Sequence, residues 1–377
     1  MMRFTANRSE LLPILRRCSL TIGRRFESRE LSCVLMEADA KTNTVMFTAR
    51  SKGCVLQIRH GCRVEQEGKA LLFAAVFQRM LELFSDEATS VATDDRRIEV
   101  RNAKSAYEFA LMDVGKYPKA DQSAPEQLLD CEKLSEISTK VLFSAARGDN
   151  TRPQLKCVRL QVHDGRFSAS SCDGYRMTVA SDTAAQDAPL DVLIEADQMK
   201  TLLAVFRGIP HCKIGTGDGK ALFIGPGLVF TATLASYGAL NLDTLLSSFR
   251  LDSALHLDGA ALSAELRRIG IGHSAGASVI LHTAGGVLRL SYISADKQPL
   301  TSVSEVPVEI DTPMPKEGFC YNYSYLREAA ALVQGSAAQI CFDSKGMMQL
   351  RTEHETHILM PKRMPQVNAI TKKKKAA

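Results

Sequence analysis

The order of helices and strands returns three times along this chain, and that repetition restricts what it can fold into more than any single motif does. The first pass opens on strand-like Met2-Arg3-Phe4-Thr5 and enters an amphipathic helix over 9–20. Leu11, Leu12, Ile14, Leu15 and Cys18 lie on one side of it, Arg16 and Arg17 on the other, and Ser9 reads as the N-cap. Strands are expected at 31–37, 44–49 and 55–60, a helix at 73–84, and strands at 90–93, 97–101 and 107–112.

The second pass begins with a helix at 131–145, with Leu134, Ile137 and Val141 inward and Lys133 and Lys140 outward. Strands at 155–163, 166–170 and 176–181, a helix at 196–207, and strands at 211–215, 221–224 and 228–234 follow. The third pass runs through a helix at 260–269, strands at 278–282, 287–293 and 300–306, a helix at 323–333, and strands at 339–343, 348–352 and 357–360. Three units of about 120 residues, each with two helices and several alternating strands, predict an α+β chain of three repeated domains. Their expected bounds are 1–123, 124–249 and 250–366, with a tail at 367–377; the joints fall in the polar, proline-bearing stretch 117–125 and near 247–253. A length of 377 residues agrees, because it exceeds what one ordinary core holds.

Each such domain places a sheet against two helices, and domains set edge to edge would join their sheets outside and gather their helices inside. The helix faces turned away from the sheets carry Arg16, Arg17, Arg79, Lys133, Lys140, Lys200, Arg207, Arg267, Arg268 and Arg327. Each alone reads as a solvated helix face; recurrence on equivalent helices of three repeats points to a shared surface facing a polyanion. The formal charge is +5, of which Lys372, Lys373, Lys374 and Lys375 supply four, so the folded body is nearly neutral. Any attraction to nucleic acid must then come from local arrangement of charge. The lysine run reads as a solvated tail or as an auxiliary anchor on a polyanion.

No apolar run approaches the roughly 20 residues of a membrane span, so neither a leader nor a membrane segment is expected. Ten scattered cysteines without a C-x-x-C read as reduced core residues of a cytoplasmic protein.

Three motifs that suggest chemistry fail on context. Gly272-His273-Ser274-Ala275-Gly276 matches a nucleophile elbow, but a helix precedes and a strand follows, the reverse of what exposes such a serine. Gly215 to Lys220 suggests a phosphate loop, yet Ala221 stands where a hydroxyl should hold magnesium, and Asp218-Gly219 reads as a hairpin turn. His354 and His357 sit three apart on an expected strand, which puts their rings on opposite faces, so no metal is expected. No cofactor is expected either, and catalysis is the weaker class.

Four strings carry a resemblance: Met2-Arg3-Phe4-Thr5, Asp173-Gly174-Tyr175-Arg176-Met177, Tyr321-Asn322-Tyr323-Ser324-Tyr325-Leu326 and Met360-Pro361-Lys362-Arg363-Met364. In this order and spacing they resemble the bacterial DNA polymerase III beta subunit, the sliding clamp family. The resemblance implies a head-to-tail homodimeric ring around double-stranded DNA, a processivity factor without catalysis of its own. Its implied partners are the DNA polymerase III alpha subunit and the clamp loader, which bind by hydrophobic peptides.

Carried onto this chain, it implies DNA contacts at Arg24 and Arg25 and at Arg147 and Arg152, beside Arg79, Lys133, Lys140, Arg207 and Arg267. Pro153 and Gln154 replace the aromatic residues often found after that second loop. The implied peptide pocket includes Leu155, Cys172, Gly174, Tyr175, Arg176, Met177, Asn322, Tyr325, Met360, Pro361, Arg363 and Met364. Two departures border it. The segment 239–246, with Leu240, replaces an aromatic, a proline and paired arginines, and Lys345, Met347 and Lys362 stand where the pattern is apolar or small; an altered peptide preference follows. The implied ring contact pairs the edge strand at 104–112, with Tyr107 and Phe109, against 268–272, with Ile271. The competing readings are a non-ring DNA-binding or scaffold protein built on clamp-like domains, an accessory or plasmid-type copy, and a hydrolase acting through Ser274.

Overall fold

The computed structural model describes residues 1–22, 28–84, 88–119, 125, 127–148, 151–186, 188–240, 244, 246–247, 249–272, 274–296 and 300–365. Six α-helices occur among them: α1 (Arg8–Ile22), α2 (Ala74–Leu83), α3 (Leu134–Val141), α4 (Ala196–Val205), α5 (Gly259–Ile269) and α6 (Tyr323–Leu332). The chain divides into two compact units. One holds residues 1–138, 160–167 and 183–236; the other holds 139–159, 168–182 and 237–377.

In the first unit an outer sheet of eight strands runs Leu128–Asp130, Lys213–Gly217, Lys220–Gly225, Leu228–Thr233, Cys54–Gly61, Thr44–Ser51, Cys33–Asp39 and Gly68–Phe73. Its seam is the antiparallel pairing of Leu228–Thr233 with Cys54–Gly61, in register from Leu228 opposite Ile58 to Ala232 opposite Cys54. This joins a strand of the central repeat to one of the first, as sheets set edge to edge require. A five-stranded sheet, Arg63–Gln66, Met2–Asn7, Ala88–Thr93, Arg97–Arg101 and Ala106–Ala110, accompanies it. Between sheets and helices lie Phe4, Leu11, Leu15, Cys18, Phe47 and Phe77, each fully buried. The Phe4 and Phe47 rings meet edge to face at 6.4 Å. Helix α1 touches both α2 and α4, and the Arg17 guanidinium donates to the Val205 carbonyl at 3.0 Å.

In the second unit one sheet runs Arg176–Thr183, Glu355–Leu359, Met348–Arg351, Ala337–Phe342, Ser253–Asp258 and Glu309–Thr312. Another runs Thr301–Pro307, Val287–Ile293, Ser278–Ala284 and Phe319–Asn322. Helices α5 and α6 pack together over them. Tyr292 and Tyr323 meet edge to face at 4.9 Å, and the Tyr323 hydroxyl donates to the Leu266 carbonyl at 2.8 Å, so the buried phenol keeps a partner. Asp258 and Asn322 cap α5 and α6 by accepting the first free backbone N–H groups.

Several local expectations shift. Helix α1 begins at Arg8, so Ser9 lies inside its first turn instead of capping it. The helix expected over 131–145 is α-helical only from Leu134 to Val141 and tightens into a 3₁₀ turn at Leu142–Ser144. Cys131 is drawn away because its N–H donates to the Cys212 carbonyl at 2.8 Å. The apolar run 71–77 is divided between a strand ending at Phe73 and a helix beginning at Ala74, since uniform apolarity gives no period to separate the two. Asp218-Gly219 forms the expected two-residue hairpin, both residues at positive φ (50° and 69°) between paired Gly217 and Lys220.

All ten cysteines are free thiols, and eight are buried. Burial pushes Cys18, Cys54, Cys131 and Cys212 up to about 12, and half-buried Cys62 up to about 11. Alkylation of the native protein at pH 8 should therefore register Cys62 and Cys172 first, and the remaining eight thiols only as denaturant is added. Rapid labelling of more than two thiols in the native state would contradict this packing.

Candidate functional site

The most constrained surface site lies in the second unit, where Asp173 and Gly174 turn the chain into the strand Arg176–Thr183. Asp173 accepts the N–H groups of Tyr175 at 2.9 Å and Arg176 at 3.0 Å, and Gly174 adopts a φ of 91° that suits glycine. The turn aims Arg176 inward and leaves Tyr175 67% exposed.

The Arg176 guanidinium is spent entirely within the fold. It donates to the Asp173 carboxylate at 3.0 Å, to the Phe143 carbonyl at 2.6 Å and to Glu328 on α6. It also lies between two rings, 4.9 Å from the Phe143 centroid and 4.2 Å from that of Tyr325. Burial, with the Asp173 carboxylate, pushes the Tyr325 phenol above its usual range against the opposing pull of Arg176. A cavity of about 310 Å³ opens here between Arg147, Thr151, Tyr175, Arg176 and Tyr325.

Beneath it a polar file crosses the sheet. Ser144 and Thr178 hydroxyls lie 2.6 Å apart, Thr178 Oγ1 is 3.1 Å from His357 Nδ1, and His357 Nε2 is 3.4 Å from a Glu355 carboxylate oxygen. Lys140 Nζ stands 3.9 Å from the other Glu355 oxygen. Thr178 and His357 are direct cross-strand partners, so the file pins the register of these two strands. His357 is buried, whereas His354 is exposed. No group of three metal-ligating side chains occurs among the described residues.

The opposite face of the same strand pair is apolar. Met177 is paired with Ile358, and these two pack with Met347 into a buried cluster against which Cys172, Val179, Leu246 and Phe249 lie. The Met360 N–H donates to the Tyr175 carbonyl at 2.8 Å, extending the ladder by one more pair whose side chains are exposed. Leu155 is half-buried, close enough that a side chain at Gly174 would touch it.

The structure thus places Tyr175, Arg176 and Tyr325 around one cavity and Cys172, Met177 and Met347 in the apolar cluster on the opposite face of the strand pair, with Leu155 beside Gly174 and Met360 paired with Tyr175. Asn322 is nearby in sequence to Tyr325, but its carboxamide oxygen is committed to capping α6. Leu240 is half-buried, with its carbonyl accepting from Arg159 at 3.5 Å. Pro361 is half-buried, and Arg363 and Met364 are exposed. Lys362 is anchored by its ammonium to the Gly276 carbonyl and the Ser278 hydroxyl, both at 2.8 Å. Phe143, Glu328, Thr178, His357 and Phe249 belong to the site although no sequence motif marks them. Asn241, Leu242, Asp243 and Leu245 lie outside the described residues.

The cationic candidates divide by partner. Arg79 pairs with Glu82 on α2, Lys133, just before α3, pairs with Glu136, each at 3.3 Å, and Lys140 faces Glu355. Arg147, Arg152, Arg207 and Arg267 are exposed and free of ion pairs among the described residues. Arg24, Arg25 and the Lys372–Lys375 run lie outside the described residues. Ala106–Ala110 is the outermost strand of its sheet, where Tyr107 stacks on Phe84 at 5.9 Å and Phe109 is half-buried. Ile271, just past α5, is 87% exposed. Ser274 is a loop residue whose hydroxyl accepts the Ala295 N–H at 3.1 Å, a structural bond in a helix-to-strand connection.

No protein-family model matches the chain. Among characterised relatives, a beta sliding clamp of Vibrio cholerae is 27% identical over 183 residues, 48% of this chain and 49% of that protein. A beta sliding clamp of Synechococcus elongatus is 25% identical over 191 residues, 50% of this chain and 51% of that protein. The aligned stretch thus spans about half the length of these relatives. In three dimensions the likeness is wider: the DNA polymerase III subunit beta of Pseudomonas aeruginosa superposes with a TM-score of 0.87, covering 96% of this chain and 100% of that one at 18% identity. Repeats joined through their sheet edges and a superposition along nearly the whole chain agree that the fold is that of the DNA polymerase III beta subunit, and about half of the chain is similar in sequence to beta sliding clamps.

Proposed function

We propose that this protein is a DNA sliding clamp, a non-enzymatic processivity factor that encircles duplex DNA and tethers a replicative polymerase. The observation that carries the reading is the superposition on a DNA polymerase III beta subunit over 96% of the chain, since retention by encirclement depends on the whole architecture and not on one site. The near-neutral body supports it: weak, water-screened cation contacts to phosphates carry no sequence information and permit sliding, while ring closure supplies retention. In this reading three domains, 1–123, 124–249 and 250–366, make up each protomer, and two protomers associate head to tail. Arg147, Arg152, Arg207 and Arg267, with Arg24 and Arg25, face the DNA. Arg79, Lys133 and Lys140 contribute less, because carboxylates already attend them. The apolar surface at Tyr175, Met177 and Met360 receives hydrophobic peptides of the polymerase alpha subunit and the clamp loader.

Retention on DNA separates this from direct binding. Loaded on nicked circular DNA, the protein should stay through gel filtration at 0.2 M salt and leave within minutes of linearisation. A protein that binds circular and linear DNA alike, and releases both as salt rises, is a direct binder and ends the clamp reading.

A further inference from the structure

Strand alternation places Tyr175, Met177 and Val179 on one face, opposite Met360, Ile358 and Thr356 of the neighbouring strand. This makes one continuous apolar stripe, but its two parts are treated differently. Tyr175 and Met360, at one end, are 67% and 44% exposed. Met177 and Ile358, in the middle, are 1% exposed, and Leu246 and Phe249 from the connector pack against the cluster these two form with Met347. The connector residues are themselves only half-buried, and between them run a 3.3 Å backbone bond from the Phe249 N–H to the Leu246 carbonyl and a Ser247 hydroxyl bond to the Thr244 carbonyl. The floor they cover contains two thioethers, Met177 and Met347, which repack around side chains of different shape at little cost.

We propose that Leu246 and Phe249 set the peptide specificity of this groove by covering its middle, so that a partner peptide is held only when its own apolar side chains displace them. The inference rests on the reading that the groove receives a hydrophobic peptide, and adds which residues of this chain compete with it. The free groove offers Tyr175 and Met360 as a first contact; the covered part accepts a leucine or phenylalanine only at the cost of exposing the connector pair. The site therefore favours peptides with two adjacent bulky apolar residues and discriminates against peptides with one, because a single side chain replaces only part of what it dislodges.

The experiment uses the full-length protein and a fluorescein-labelled nine-residue peptide carrying adjacent leucine and phenylalanine in a serine and glycine background. Phe249→Ala should tighten binding about tenfold, and Leu246→Ala should act in the same direction, while a peptide with leucine alone should gain more than the two-residue peptide does. Since the chain contains no tryptophan, Phe249→Trp supplies a single reporter, and its emission should move to longer wavelength when unlabelled peptide binds. This readout needs no cavity-forming change and so stands if Phe249→Ala unfolds. Equal affinity of wild type and variants, with the indole emission of the Phe249→Trp protein unmoved at saturating peptide, overturns the displacement while leaving the groove as a peptide site. Absence of binding by the wild type and by both alanine variants overturns the peptide reading, and this inference with it.

Discussion

If the chain forms the proposed head-to-tail ring, Tyr107→Ala combined with Ile271→Ala should convert that dimer into a monomer of unchanged fold. The Ala106–Ala110 strand presents one unpaired backbone edge, and among its residues Tyr107 is held out by its stack on Phe84. Ile271 exposes 87% of its surface, an arrangement that water disfavours unless a partner covers it. Leu300 and Val303, 47% and 57% exposed near the outer strand Thr301–Pro307, enlarge that apolar surface. In the proposed ring a head-to-tail pairing of the two edges would satisfy backbone groups on both and close the assembly. Each contact would lose about 4 kcal/mol on truncation of both side chains, and a two-protomer ring has two contacts, so its dissociation constant should rise by about a thousandfold per contact and roughly a millionfold for the pair. Sedimentation velocity at micromolar concentration, with circular dichroism to verify the fold, checks this. A dimer of unaltered mass at nanomolar concentration would place the contact elsewhere.

The second large effect belongs to Arg176. Its side chain is 10% exposed and that of Asp173 is 11%, so Arg176→Ala leaves a nearly buried carboxylate without its counter-charge, and Tyr325 and Phe143 without the plate between them. Breaking such a pair costs about 3 kcal/mol, and Glu328, at 41% exposure, adds little because water replaces its partner. For a unit of this size that corresponds to a fall of roughly 6 to 12 °C in the melting temperature. Arg176→Lys should recover less than half of it, since an ammonium cannot reach three acceptors in one plane or stack between two rings. Peptide affinity should fall in parallel, because the arginine positions Tyr325 and contributes no free charge of its own. A lysine variant with wild-type melting and wild-type peptide binding would refute this role.

The groove was legible only in part. Asp173-Gly174-Tyr175-Arg176-Met177 located the turn, and the Asx geometry explains why those residue types stand in that order. What Arg176 does was not legible: an arginine in a pocket suggests a ligand for an anionic partner, but here three protein acceptors and two rings consume it. Glu328 and Phe143 come from 152 positions after it and 33 before it, distances over which no local pattern operates. His357 shows the same limit. His354 stands in the bend before the strand Glu355–Leu359 and not on it as the spacing suggested, and only the pairing of Thr178 with His357 shows that the imidazole closes a file reaching Lys140, a residue otherwise read as facing DNA.

By itself the sequence determined the alternation of amphipathic helices and strands, their threefold return and the strings that carry the family resemblance, because helix and strand periodicities are local properties of residue order. The helix expected from Ser9 begins one residue earlier, at Arg8, and the helix at 131–145 missed its expected start because the Cys212 carbonyl claimed the Cys131 N–H. Tertiary structure alone decided which strands join across repeats, which cations among the described residues lack a carboxylate neighbour, and that Leu246 and Phe249 pack against the cluster of Met177, Met347 and Ile358. Those are contacts between residues far apart in the chain, fixed by how faces of different elements fit together and so absent from any single stretch of sequence.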